Sequence, residues 1–119
     1  GCVYVPPSYS PIKGGSEEMK KWDPEWANSS FASKDNYWAG AKKACDELGM
    51  SLPDKSKLES LAKKTKAEKE QLGLPTSGWF WSSSEDNAYT AYRVFFGDGR
   101  TLHDATKLYS DLRVLCVGD

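Results

Sequence analysis

The chain has 119 residues, 39% of them hydrophobic and 13% aromatic, and a formal net charge of −1. That charge balance excludes a basic surface able to hold nucleic-acid phosphates, and no apolar run approaches the roughly 18 residues of a membrane span. The length suits one domain, 1–119, with a core of modest size.

Residues 1–30 are a Pro- and Gly-rich N-terminal segment, in which Val3-Tyr4-Val5 is a short strand candidate stopped by Pro6-Pro7. Ser16, followed by Glu17-Glu18-Met19, predicts a capped short helix carrying Met19 and Trp22 and ended by Pro24. Residues 28–36 are polar and read as a loop. Asp35 or Asn36 then starts a longer helix. On it Trp38, Ala41, Cys45 and Leu48 recur at three- and four-residue spacing, which makes one apolar face, and Gly49 ends it. Met50-Ser51-Leu52-Pro53 is an extended link, after which Asp54 caps a second helix with Leu58, Leu61 and Ala62 inward. The continuation, 63–71, is nearly all charged and reads as a solvated face.

From Trp79 the pattern changes to strands. Tyr92, Val94 and Phe96 alternate with Ala91, Arg93 and Phe95, a period of two that assigns the first set to the core. Gly97-Asp98-Gly99 supplies a hairpin turn. A final strand, 112–117, places Leu112, Val114 and Cys116 on one face. Trp38 and Trp81 complete the expected core. Helices followed by an antiparallel sheet make the class α+β.

Cysteines stand at 2, 45 and 116, none spaced as CxxC, and His103 is the sole histidine, so a structural zinc site is not expected. A Cys45–Cys116 bridge with Cys2 left over is the simplest arrangement. It implies an oxidising compartment; three reduced thiols are the alternative.

Composition divides the chain. Lys, Glu, Gln, Met and Trp total 29, and 28 of these lie in residues 1–85, leaving Lys107 alone in the last 34. All three arginines, Arg93, Arg100 and Arg113, fall in that tail. Strands disfavour Lys and Glu, which accounts for part of the shift but not for the loss of Trp or the exclusive use of Arg.

Three segments resemble the C-type-lectin-like fold in its bacterial form, shared by formylglycine-generating-enzyme-like domains and Trp-Ser-Ser-containing surface-protein domains. They are Trp38 to Cys45 leading to Leu48-Gly49-Met50-Ser51-Leu52-Pro53; Trp81-Ser82-Ser83-Ser84-Glu85; and Tyr92-x-Val94-x-Phe96-x-Asp98-Gly99, then Lys107, then Val114-x-Cys116-Val117. The resemblance implies two helices packed on a small twisted antiparallel sheet with long loops, a Cys45–Cys116 disulfide and a fixed lysine at 107. Within that group the tail looks like the variable region of proteins diversified by retroelements. Adenine-randomised asparagine codons there cannot encode Lys, Glu, Gln, Met or Trp. Residues 79–116 are then a variable ligand-binding region.

Catalysis is not expected. Fold similarity does not carry activity, the resemblance makes Cys116 a bridging residue, and His103 is the single base candidate. The carbohydrate-binding triplets of animal lectins of this fold are absent. Glu85, Asp86, Asp98 and Asp104 are hard oxygen ligands of the kind calcium takes, yet acidic turn residues more often cap backbone amides, and no metal or other cofactor is assigned.

Binding is the remaining function. Tyr89, Arg93, Phe95, Asp98, Arg100, His103, Asp104 and Tyr109 are the candidate ligand contacts, Tyr and Arg being prominent in binding hot spots. Phe95 is a large aromatic on the strand face opposite the core set, which marks a contact surface; a second small core beneath the loops is the alternative. The reading is a secreted or surface-displayed, adhesin-like domain that recognises a protein or glycan. It sits on a bacterial surface, or on a phage tail or pilus tip, with a membrane link confined to a lipid anchor at Cys2. A structural pilin-like or envelope subunit with a fixed face is the other class.

Overall fold

The computed structural model describes residues 1–118. In chain order the elements are β1 (Val3–Tyr4), α1 (Met19–Trp22), α2 (Pro24–Ala27), α3 (Tyr37–Glu47), α4 (Lys55–Ala62), α5 (Lys66–Leu72), β2 (Trp79–Glu85), β3 (Thr90–Phe95), β4 (Thr101–Thr106) and β5 (Cys116–Val117). The class is α+β, with two small antiparallel sheets: β2-β3-β4, and β1 paired with β5. The expected packing of two helices on the sheet is met by α3 and α4, and five helices are found among the described residues. α1 is the short helix expected at Met19 and Trp22, with Glu18 rather than Ser16 at its N-cap, and α2 is an unexpected further turn that Asp23 caps by accepting the Trp26 amide.

Asn36 caps α3 by accepting the Ala39 amide at 2.8 Å, and α3 buries Trp38, Ala41 and Cys45 as their spacing predicts. Leu48 departs from the stripe: it is the C-cap, where the helical repeat ends, and its side chain is exposed. Asp54 caps α4 through the Lys57 amide, and Leu58, Leu61 and Ala62 are buried. The charged run does not continue α4. Thr65 and Glu68 form a reciprocal capping box that starts α5 afresh. The new direction buries Lys69, whose ammonium donates to the Phe96 carbonyl.

The turn through Gly97-Asp98-Gly99 joins β3 to β4, and Gly99 adopts φ 81°, a left-handed conformation that costs glycine little. Both faces of the three-stranded sheet are covered. On one, Phe80, Val94 and Phe96 meet Leu58, Leu61, Ala62 and Leu115. On the other, Trp81, Ala91 and Ala105 meet Trp38, Ala41, Leu112, Val114 and the cysteines at 45 and 116. The neighbours Phe80 and Trp81 are therefore both fully buried, because successive strand side chains point to opposite faces.

Trp38, Trp81, Val94 and Phe96 are core residues as expected, Val94 and Phe96 on the face the alternation assigns. Tyr92 lies on the predicted face but is half-buried. It sits where the cover thins at the start of α4, with the Lys55 ammonium 3.9 Å from its ring centre. Leu112, Val114 and Cys116 share one cluster, although the paired strand is confined to β5. The Cys45–Cys116 disulfide, Cα atoms 5.3 Å apart, ties α3 to β5, and Cys2 is free and exposed.

Candidate functional site

Register assembles the site. Across β2 and β3, Trp79 opposes Phe95 and Trp81 opposes Arg93; across β3 and β4, Arg93 opposes Leu102. Residues directly opposite share a face, so Trp79, Trp81, Arg93, Phe95 and Leu102 project together. Trp81 is covered by the core, while Trp79 and Phe95, nearer the hairpin, stay partly exposed with ring centres 5.1 Å apart.

Two guanidinium groups cover these rings. Arg93 lies 4.2 Å from the Trp79 ring centre, and Arg100 lies 5.5 Å from Trp79 and 5.1 Å from Phe95, all within cation–π range. Asp104 accepts two hydrogen bonds from Arg93, at 3.1 and 3.4 Å. That hydrogen-bonded guanidinium holds the Asp104 carboxyl below the usual carboxylate range. Asp98 accepts the Arg100 amide at 3.0 Å and pairs with its guanidinium at 3.6 Å. With 19% of its side chain exposed, Arg93 is held more tightly than a free surface cation.

Arg93, Phe95, Asp98, Arg100 and Asp104 are thus brought into one group, and the other three sequence-predicted residues are not. Tyr89 stacks on Trp26, ring centres 5.8 Å apart and planes 4° from parallel, and packs on Phe31. Partly buried, it packs against a third hydrophobic cluster of Ile12, Met19, Trp26 and Ala39, away from the Trp79 group. His103 turns toward Asp86 and Tyr92, the side of the sheet opposite Arg93. Tyr109 is exposed beyond β4, and no aromatic or ionic contact among the described residues joins it to the group. Trp79 and Leu102 belong to the group but were not singled out from the sequence. The signal for Trp79 was its two-residue offset from Trp81; for Leu102 it was the register across a hairpin.

Lys107 is fully buried and bonded to Asp23 at 2.9 Å, Glu85 at 2.7 Å and the Ala88 carbonyl at 2.9 Å. Asp23 in turn accepts the Asn36 side-chain amide. The tail's single lysine therefore locks the β4 end to the N-terminal segment and to the cap of α3. The acidic residues considered for calcium are spread among these contacts: Glu85 on Lys107, Asp86 beside His103, Asp98 on Arg100, and Asp104 on Arg93. Among the described residues no three His, Cys, Asp or Glu side chains gather as a metal site.

Clefts of about 230 to 520 Å³ among the described residues have other linings than Trp79, Arg93, Phe95, Arg100 and Leu102. In the Trp79 group Arg100 and Leu102 are exposed, and Trp79, Arg93 and Phe95 are half-buried. Paired rings and guanidinium groups with in-plane N–H donors offer apolar contact and planar hydrogen bonding side by side.

A protein family described as a domain of unknown function (DUF8780) matches the chain over residues 26–118. No curated protein matches it.

Proposed function

The chain belongs to the DUF8780 family, and we propose that it is a secreted or surface-displayed binding domain whose Trp79–Arg93–Phe95–Arg100 face recognises a protein or glycan partner. The observation that carries this is the partial exposure of the Trp79–Phe95 pair, with Arg93 and the exposed Arg100 laid over it, at the end of a sheet otherwise packed on both faces. Arg and Trp concentrate binding energy when water is excluded around them, and a rigid support lowers the entropy lost on binding. Phe95, Arg93, Asp98, Arg100 and Asp104 all fall in the stretch that lacks Glu, Gln, Met and Trp and keeps only Lys107. Diversification of that stretch by a retroelement is part of the proposal, as is a C-type-lectin-like fold. Support for both comes from the restricted composition and from a disulfide that joins the longest helix to the last strand. That disulfide also supports an extracellular or bacterial-surface location, and among the described residues no helix is long and apolar enough to cross a membrane.

Arrays of glycans and of cell-surface proteins probed with the chain test the reading. Phe95→Ala and Arg93→Ala are each expected to weaken captured partners by more than about 1 kcal/mol, with melting curves checking that both variants are folded. Partners that bind both variants as tightly as the parent would move recognition elsewhere. The second reading, a structural subunit, is favoured by one feature: β4 ends its sheet with an open edge.

A further inference from the structure

We propose that β4 pairs antiparallel with β4 of a second copy of this chain, about a two-fold axis at Leu102, joining two three-stranded sheets into one of six strands. The pairing goes beyond the binding role and does not depend on it. β4 is the last strand of its sheet, and β3 is the one strand it pairs with among the described residues. The Phe95 amide donates to the Arg100 carbonyl at 2.9 Å, which makes Arg100 and Phe95 a hydrogen-bonded pair. Alternation along an antiparallel ladder then turns the amides and carbonyls of Thr101 and His103 away from β3. The irregularity in the β3–β4 ladder begins beyond Leu102. Thr101–Thr106 contains neither lysine nor proline, two residues that commonly guard a sheet edge against pairing.

The side chains match this edge to itself. Arg100, Leu102 and Asp104 all project on the Trp79 side: Arg100 lies over Trp79 and Phe95, Leu102 opposes Arg93, and Asp104 bonds Arg93. All three are exposed. Read along the strand they run cation, apolar, anion at two-residue intervals. An antiparallel copy centred on Leu102 therefore sets Arg100 opposite the partner's Asp104, Leu102 opposite the partner's Leu102, and Asp104 opposite the partner's Arg100. Such self-complementarity is what an isologous two-fold contact requires. Thr101 meets the partner's His103, and both have outward backbone groups in this register. A slip of one residue would oppose outward groups to inward ones and separate the charges. The axis stands perpendicular to the sheet, so both Trp79 faces end on the same side and form one doubled surface.

Charge reversal tests the contact through mass measured by light scattering or sedimentation. The parent chain is expected to self-associate to twice its 13.2 kDa as concentration rises. Arg100→Asp alone and Asp104→Arg alone each place like charges across the axis and are expected to be monomers. An equal mixture of the two restores both opposite pairs and is expected to recover the dimer. Leu102→Cys in a Cys2→Ser background, folded whatever becomes of Asp104→Arg, is expected to crosslink to a dimer under oxidation, because residues facing each other on the axis form a close, non-hydrogen-bonded pair. A parent chain that stays monomeric at millimolar concentration would overturn the proposal. So would a dimer indifferent to both reversals, or a mixture no more associated than either variant alone. Loss of ligand capture in Phe95→Ala while the dimer persists would separate this contact from the binding role.

Discussion

Lys107 has no exposed surface, so its partners decide whether its charge is tolerated. A buried ammonium is costly unless paired and hydrogen-bonded, and Asp23, Glu85 and the Ala88 carbonyl supply that pairing. Removing it strands Asp23, itself buried, without its cation. Lys107→Ala is expected to cost about 3–5 kcal/mol in urea denaturation, with part of the loss recovered when Asp23→Asn is added. Tyr9 offers a pH-dependent counterpart. Its hydroxyl donates to the Leu112 carbonyl at 2.8 Å and accepts from the Trp81 indole at 3.0 Å. Burial pushes its pKa from 10.0 up to about 12, the Trp81 hydrogen bond pulling the other way. Because the folded value lies above the unfolded one, this stabilisation is complete below pH 10 and is lost as pH rises from 10 toward 12. Stability measured across that window is expected to fall in the parent and to be flatter in Tyr9→Phe, which loses about 1 kcal/mol at neutral pH with its hydrogen bonds.

At the scale of the element, β3 shows how one strand serves two surroundings. Val94 and Phe96 face α4 and Leu115, with Phe80 and Phe96 ring centres 4.8 Å apart. Arg93 and Phe95 face the other way, beyond the point where α3 and the disulfide cover the sheet. Phe96→Ala is expected to cost about 3–5 kcal/mol, read as a lowered denaturation midpoint. An unchanged midpoint would contradict its burial. The charged run after α4 teaches the complementary lesson. Its helical character is legible in residue type, but the break at Thr65 is written in the cap, Thr65 with Glu68 three residues on. Once α5 turns, Lys69 reaches the hairpin backbone at Phe96.

For the whole molecule, two long-range ties hold the N-terminal segment, α3 and the tail as one body. Lys107 bonds Asp23 across 84 residues, and the Cys45–Cys116 disulfide spans 71. Gly40 on α3 admits the N-terminal segment so closely that an added Cβ would overlap the Ser10 carbonyl oxygen. Closing a loop of that length restricts the unfolded chain and is worth roughly 4 kcal/mol in the chain-entropy account. Replacing both bridging cysteines by alanine is expected to lower stability by about that amount, compared in thermal or urea unfolding with the oxidised parent. Equal stability of the two proteins would contradict the assignment of the bridge.

Local patterns were legible without the structure because neighbours in the chain set them. Helix start at Asn36, apolar spacing through Cys45, the turn at Gly97-Asp98-Gly99 and the alternation from Tyr92 to Phe96 each rest on caps, period or backbone freedom. The α+β class follows from the same reading, whereas the Cys45–Cys116 bridge was the simplest of the arrangements left open and the one the resemblance implied. Which polar and aromatic residues are open to a partner was decided by tertiary packing. Tyr89 and Phe95 both sit in the tail and look alike in sequence, but Trp26 and Phe31, about sixty residues earlier in the chain, take Tyr89 into a core. Phe95 stays half-buried, packed on Trp79 and under the Arg100 guanidinium near the hairpin end of the sheet. Burial of Lys69 and Lys107, and cover on both faces of one sheet, likewise depend on contacts between distant segments, which no local period encodes.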